Sequence, residues 1–352
     1  MVTAHYLLKA GHQVTAYASE IRGESGDFPV KRIGTLAPTR TGRLVAFALA
    51  APAAARRDGN DLVLSFARTV GADVLRSGGS AHASYVAAAR RWRGRISAAA
   101  MPLLPYHQAQ MIIERLGFHS PRLKLVIAVS NLVRDDLLAR FGLDPERVVT
   151  LYNGVDLKRF HPAESDTFRN RLRASLQLPA RVPIVAFVGN GFGRKGLRFL
   201  IEAMARLGSN ARLAVIGVDR ADRAYRELAR RLGLGPRVNF VGARGDVETF
   251  FAAADAFAMP SLFEPFGNVV MEAMASGLPA LTSAQSGVAE LMPSAMERYV
   301  VPNPRDVADM SVRLHEMLEA ADELRSLCRE TAEQYSWDRH GDNLLGILRS
   351  LG

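Results

Sequence analysis

Two glutamates, Glu264 and Glu272, stand eight positions apart in the stretch SLFEPFGNVVMEAMASGLPALTS, residues 261–283. Between them, Pro265 and Gly267 interrupt the chain and a helical pattern begins, with Val269, Val270, Ala273 and Met274 as its apolar positions. The first N–H groups of a helix have no partner inside it, and the helix dipole adds positive charge there, so a helix start receives anions. The residues at this mouth, Phe266, Gly267, Asn268 and Val269, are predicted to receive a diphosphate. Carboxylates accept hydrogen bonds from hydroxyls. Glu264 in the turn and Glu272 inside the helix would then hold hydroxylated groups at the two ends of the diphosphate, a sugar and a ribose. The plain alternative is one glutamate at a helix start and one solvated on the helix.

A second constellation lies upstream in FVGNGFGRKGLRFLIEA, residues 187–203. A strand runs into a Gly-rich turn with Gly191, Arg194 and Lys195, and a helix follows. Glycines let backbone approach phosphate closely. Arginine offers a planar fork of donors and lysine a compact charge, and together they can neutralise a departing diphosphate. The turn is not a P-loop, because no Ser or Thr follows Lys195, and it is not the dinucleotide fingerprint in its usual place.

Both motifs need a scaffold that presents loops at strand ends. In the second half, short apolar runs alternate with amphipathic segments. VPIVAFVG (182–189), ARLAVIGV (211–218), RVNFVG (237–242), AFAMP (256–260) and PALTS (279–283) read as strands, each preceded or followed by a helical pattern. Leu197, Leu200, Ile201, Met204 and Leu207 share one face of the helix after the Gly-rich turn. Continuous apolar strands joined by helices imply a parallel sheet covered on both faces. The first half repeats the rhythm less cleanly, with candidate strands at 12–19, 61–67, 72–78, 123–130 and 147–153 and a helix at 131–142. The predicted class is α/β with two Rossmann-like, doubly wound domains: 1–160, 161–335, and a terminal helix over 336–352. The chain opens inside a helical pattern that stops at Gly11, which leaves no room for the strand that normally starts such a domain. The expectation is therefore a first domain lacking its opening strand, from a start downstream of the true one or from a degraded gene.

The 352 residues carry a net charge of +10, which favours an acidic partner or reflects a genome that prefers arginine. Cys328 is the only cysteine, which fits a reducing compartment and excludes a disulfide frame. The longest apolar stretch, Leu44 to Ala55, is mostly alanine and contains Pro52, so no membrane span is predicted.

The pieces YNGVDLKRFHP, VGNGFGRKG, VNFVGARGDVETFFAAADAFAMPS and EPFGNVVMEAMASGLPALTS, in this order over about 126–287, resemble the retaining GT-B glycosyltransferases of family 4. FGRKG and RSGGSAHASYV look most similar to the lipopolysaccharide-core glucosyltransferase type. The resemblance implies two Rossmann-like domains facing a cleft, and a nucleotide-sugar donor, UDP-sugar foremost, held by the second. By position, Glu264 would hold sugar hydroxyls, Glu272 the ribose, and Arg194 and Lys195 the diphosphate. The Phe266–Val269 amides would hold diphosphate and sugar, with Val218 and the segment from Ala243 to Val247 beside the base. It also implies transfer of a hexose with retention of configuration, an acceptor that is a glycan or glycolipid, and a last helix crossing back onto the first domain. No metal or other cofactor is expected, the nucleotide-sugar being a substrate.

In the first half, SGGSAH ends in His82, which could orient or deprotonate the acceptor hydroxyl or be merely polar. RRWRGR puts four arginines around Trp92, which suits an anionic membrane surface, RNA or a solvated helix end. Lys9, Arg22, Lys31, Arg32, Arg40 and Arg43 could add to it. A cytoplasmic enzyme, peripheral on the inner membrane face, is the expectation. An epimerase, a phosphorylase, a glycosidase, a donor-binding but inactive homologue and a nucleic-acid binder are the alternatives. No nucleic-acid signature supports the last.

Overall fold

The computed structural model describes residues 2–21, 27–35, 37–180 and 182–351, with the side chain of Arg95 outside the description. Arg22, one of the basic residues named above, lies outside the described residues. The chain packs as two units, Met1–Asn153 with Trp337–Gly352, and Gly154–Ser336. The first boundary thus falls at 153/154, seven residues before the expected 160/161.

The first unit carries β1 (Ala16–Ala18), β2 (Val30–Arg32), β3 (Leu64–Ser65), β4 (Val74–Ser77), β5 (Leu125–Ala128) and β6 (Val148–Thr150). β1 and β2 pair in a parallel two-stranded sheet, and β3-β4-β5-β6 form a parallel four-stranded one. The helix Val2–Lys9 opens the described chain, and Gly11 follows it at φ 85°. Tyr6 on this helix donates to Asp338 Oδ1 at 2.6 Å. Its ring lies over Gly341, where a Cβ would meet ring carbons at 2.5 Å. Gly341 therefore admits the contact between the helices Val2–Lys9 and Trp337–Arg349. Leu344 of the terminal helix is fully buried with Val74, Leu125, Ile127 and Leu151. Burying such a side chain contributes roughly 1.5–3 kcal/mol, which holds the terminal helix on this sheet.

The second unit carries β7 (Ile184–Val188), β8 (Arg212–Ile216), β9 (Val238–Gly242), β10 (Ala256–Ala258), β11 (Ala280–Ser283) and β12 (Val300–Val301). The sheet order is β12-β11-β10-β7-β8-β9, with every pairing parallel. Counted from β7, that is the doubly wound order 3-2-1-4-5-6. The apolar runs of β7, β8, β10 and β11 are buried almost throughout, as a sheet covered on both faces requires. The helix Leu197–Arg206 buries Leu197, Leu200, Ile201, Ala203 and Met204 against it. β2 and β12 were not anticipated. Both are short, and β2 is two-thirds Lys and Arg, so neither shows an apolar run. Among the described residues no helix is long and apolar enough to cross a membrane.

Candidate active site

A doubly wound sheet binds ligands outside the carboxyl ends of its strands, where the strand order reverses. In the second unit that point lies between β7 and β10. Both sequence motifs end there: the Gly-rich turn leaves β7, and the Glu264 turn leaves β10.

The two loops interlock. Gly196 has φ 76°, and a Cβ on it would lie 2.0 Å from the carbonyl oxygen of Pro260. Leu262 N donates to Arg194 O at 2.8 Å. A third loop, after β8, joins them. Gly217 has φ 133°, and its Cβ would meet Gly189 O at 2.2 Å. Val218 N donates to Asn190 Oδ1 at 2.9 Å, and Asp219 accepts from Phe192 N and Ala221 N, each at 2.7 Å.

On this frame Glu264 Oε2 accepts from Arg194 Nη1 at 2.8 Å and from Lys195 Nζ at 3.2 Å. Arg194 Nη1 also donates to Phe263 O at 2.9 Å, and Lys195 Nζ lies 3.1 Å from Met259 Sδ. Glu264, read as a grip apart from the Arg194–Lys195 pair, thus joins that pair in one cluster. Lys195 is buried, and its ammonium is pushed below the usual lysine range by burial, against the pull of Glu264 and with the help of Arg194. Burial also raises the Glu272 carboxyl, opposed by Arg159 and Lys195.

The Glu264 turn is pinned from behind. Glu264 N donates to Gln285 O, and Gly287 N donates to Glu264 O, at 2.9 and 3.0 Å. Phe266 O accepts from Ser286 Oγ and Val288 N at 2.9 and 2.8 Å. Gly267, at φ 107°, starts the helix Asn268–Ala275. That helix buries Val270, Met271, Ala273, Met274 and Ala275. The sequence pattern put Val269 on the buried face; it is only partly buried, and Met271 takes the core position. The Phe266 side chain is itself buried, so its share in the mouth is backbone. Gly191, at φ 75°, is exposed with nothing around it. Val218 and Ala243 are exposed, and Val247 opens the helix Val247–Ala253. Arg159 ties this last region down. Its Nε and Nη2 reach Glu248 Oε2 at 3.0 and 2.8 Å, and Nη2 reaches Gly245 O at 2.7 Å.

Two models of glycosyltransferase families match this chain: "Glycosyl transferases group 1" over residues 168–335 and "Glycosyltransferase Family 4" over residues 2–159. The chain is 26% identical to the lipopolysaccharide glucosyltransferase WaaG of Escherichia coli over 331 residues, which is 93% of this chain and 86% of that protein. The crystal structure of WaaG, a glycosyltransferase involved in lipopolysaccharide biosynthesis, superposes with a TM-score of 0.77 at 25% identity, covering 97% of this chain and 94% of that one. The chain belongs to the GT-B glycosyltransferases of family 4. The D-inositol 3-phosphate glycosyltransferase of Rhodococcus opacus is 31% identical over 240 residues, 64% of this chain and 52% of that protein. Several other curated relatives are likewise matched over about half of their length. The fold is shared with Anabaena HepE, crystallised with UDP and glucose, at a TM-score of 0.67 and 22% identity over 92% of this chain and 86% of that one.

In this chain the group 1 region contains the Arg194–Lys195–Glu264 cluster, and the family 4 region contains His82. His82 is buried at the start of the helix His82–Ala88. Its N–H donates to Glu114 Oε2 at 2.7 Å, and the preceding Ala81 N–H donates to Asp136 Oδ2 at 2.8 Å. Two carboxylates therefore cap a helix that has no side-chain cap of its own. Glu114 is in turn paired with Arg68. His82 Nε2 lies 2.7 Å from His107 Nδ1, with the rings stacked at 5.0 Å. Burial, then Arg68 and His107, lower the His82 pKa to about 4, so the ring is neutral at pH 7. Burial, Arg93 and Arg40 lower His107 as well.

Asn190, Asp219, Met259 and His107 escaped the sequence reading. The first two follow strands in which a polar residue beside glycine signals a turn held by its side chain. Nothing local marks Met259 or His107, because their partners are 64 and 25 positions away. Trp92, read as an interfacial aromatic, is partly buried against Tyr85 and beside Met101, while Arg90, Arg91 and Arg93 are exposed. Among the described residues no three His, Cys, Asp or Glu side chains gather as a metal site.

Proposed function

We propose that this chain transfers a hexose from a UDP-sugar to a hydroxyl of a glycan or glycolipid, with retention of anomeric configuration, in the synthesis of lipopolysaccharide or a related envelope glycan. The observation that carries this reading is the Arg194–Lys195–Glu264 cluster at the switch point of the second sheet. Its support in kind comes from the relatives: WaaG is a lipopolysaccharide glucosyltransferase, and a protein of the same fold binds UDP and glucose.

The step we infer is front-face displacement. The bond between the anomeric carbon and the diphosphate oxygen breaks, and its electron pair leaves with the diphosphate. The acceptor oxygen bonds to the same face of that carbon, and its proton passes to the departing diphosphate. Arg194 and Lys195 neutralise the charge that develops, aided by the amides of Phe266–Val269. Stabilising a departing charge in a buried site is worth several kcal/mol. Glu264 holds the sugar hydroxyls and keeps the two cations aimed, and Glu272 holds the ribose. Gly191, Val218, Ala243 and Val247 line the donor's path, and neutral His82 orients the acceptor hydroxyl. No divalent ion takes part in this scheme.

The same reading places the enzyme on the inner face of the membrane. Ile96, 88% exposed, and Leu103, 79% exposed, stand near exposed Arg90, Arg91 and Arg93 in the chain. Apolar side chains rimmed by arginine suit an anionic lipid surface.

The test is a hydrolysis and transfer screen over UDP-, GDP- and ADP-sugars with EDTA present. One donor should be consumed by the wild type, and Glu264→Ala and Lys195→Ala should each lose more than about tenfold, equivalent to about 1.4 kcal/mol. Unchanged rates in both variants would end the assignment. Anomeric NMR of the product reports retention, and sedimentation with phosphatidylglycerol vesicles reports the membrane contact.

A further inference from the structure

The ring of His82 is held between neighbours. Tyr85 lies 5.8 Å away between centroids, tilted at 34°, and His107 lies at 5.0 Å, stacked at 23°. Tyr106 in turn meets His107 edge-on at 5.6 Å. Between the two histidines the contact is specific, with Nε2 of His82 2.7 Å from Nδ1 of His107. At that distance one hydrogen lies between the two nitrogens.

Which ring nitrogen of a histidine carries the hydrogen is set by the partner of the other one, often a carbonyl or a carboxylate. Neither serves His82. The two acids nearest in the fold are occupied elsewhere: Glu114 by the His82 backbone N–H and by Arg68, Asp136 by the Ala81 N–H and the Ser84 hydroxyl. Among the described residues no group bonds Nδ1 of His82. Burial and nearby arginines hold both histidines below their usual range, so both rings are neutral at pH 7. A neutral ring carries one hydrogen. The pair therefore has two states. If His82 donates from Nε2, its Nδ1 is a bare acceptor. If His107 donates from Nδ1, His82 carries its own hydrogen on Nδ1 and offers a donor.

The proposed transfer chooses between the two states. In it the hydrogen of the acceptor hydroxyl leaves with the departing diphosphate, so that hydrogen must stay free of His82. A neutral histidine can orient such a hydroxyl only by donating to its oxygen. An isolated imidazole side chain prefers its hydrogen on Nε2, so the Nδ1–H form needs a donor set against Nε2. We propose that His107 is that donor: it gives its Nδ1–H to Nε2 of His82, fixes His82 in the Nδ1–H form, and leaves that N–H to hold the acceptor oxygen. One lone pair of the oxygen takes the hydrogen bond, and the other faces the anomeric carbon. His107 is thus a positioning residue that reaches the reaction only through His82. This inference deepens the proposed function and rests on it for the role of His82.

The test has two readouts on the full chain. Long-range proton–nitrogen NMR of the nitrogen-labelled histidine rings at pH 7, assigned with His82→Gln and His107→Asn, reports which nitrogen of His82 is protonated. Hydrolysis of UDP-glucose and UDP-galactose, with water as the acceptor, reports the reaction. In the wild type, His82 is expected to carry its hydrogen on Nδ1. His107→Phe keeps a ring but has no donor, and it should move that hydrogen to Nε2. The same change should lower kcat at least about tenfold with KM for the sugar nucleotide within about twofold, the mark of an interaction made only in the transition state. His107→Asn sets an amide N–H where Nδ1–H stood, and it should keep the Nδ1–H form and return kcat to within about threefold of the wild type. Three results would overturn the proposal: a wild-type His82 protonated on Nε2, a His82 tautomer that His107→Phe leaves unchanged, or equal losses of kcat in the two variants. A UDP thermal shift on each variant checks that the donor side is intact, and if His107→Phe does not fold, the wild-type tautomer and the asparagine variant decide. A wild type that hydrolyses no sugar nucleotide defeats the proposed function, and the tautomer of His82 then decides by itself whether His107 sets it.

Discussion

The two units handle charge in opposite ways. In the second, three loops lock by backbone against backbone, and the charged cluster of Arg194, Lys195 and Glu264 is internally paired. In the first, aromatic rings meet side chain against side chain, stacked between His82 and His107 and edge-on between His107 and Tyr106, and among the described residues no carboxylate pairs with Arg40. A paired buried cluster holds its charges in one fixed arrangement. The contrast follows from cost: a buried cation needs its partner at all times, whereas an exposed one tolerates waiting.

The largest expected effect breaks the locked frame. Gly196→Ala sets a Cβ about 2.0 Å from Pro260 O at a left-handed φ of 76°. The backbone conformation alone costs roughly 1–2 kcal/mol, and the clash adds to it. A fall of at least about 2 kcal/mol in the unfolding free energy from urea titration, and loss of donor binding, are expected. An equivalent change at Gly191, where nothing lies within 4 Å, should cost only the conformational part. Equal costs at the two positions would show that the loops do not lock.

The next effect tests whether the paired cluster is one device. Glu264→Gln and Lys195→Met should each lower UDP-sugar hydrolysis at least tenfold. Because they share one hydrogen bond, the double variant should fall short of the product by about 1 kcal/mol or more. Strict additivity would separate the two residues.

The smallest effect sharpens the first unit. The His82 pKa is 6.5 in an unfolded chain and about 4 when folded. The folded state therefore keeps its full stability above pH 6.5 and loses it as pH falls toward 4, because the unfolded chain takes up a proton that the folded one resists. His82→Gln should flatten that limb between pH 6.5 and 4 in urea unfolding of the full chain, and a limb of unchanged slope would place the titration elsewhere.

Legibility in the sequence followed the same divide. The second sheet could be read because β7, β8, β10 and β11 are short, largely apolar runs buried almost throughout, and the two motifs could be placed because each begins where a strand ends. β12 and β2 escaped because a two- or three-residue strand leaves no periodicity. Val269 was misplaced because a helix as short as Asn268–Ala275 allows two neighbouring apolar faces. His107 was passed over because its meaning depends on His82, on another helix.

By itself the sequence determined that this is a parallel α/β chain with a helix start at Gly267 and cations at 194 and 195, since glycine, charge and apolar runs act locally. Only the tertiary structure decided that Glu264 joins both cations on one oxygen, that Gly196 lies against Pro260, and that two histidines share a hydrogen bond. Those contacts join residues far apart in the chain, and their energies exist only once the sheets have brought the strand ends together.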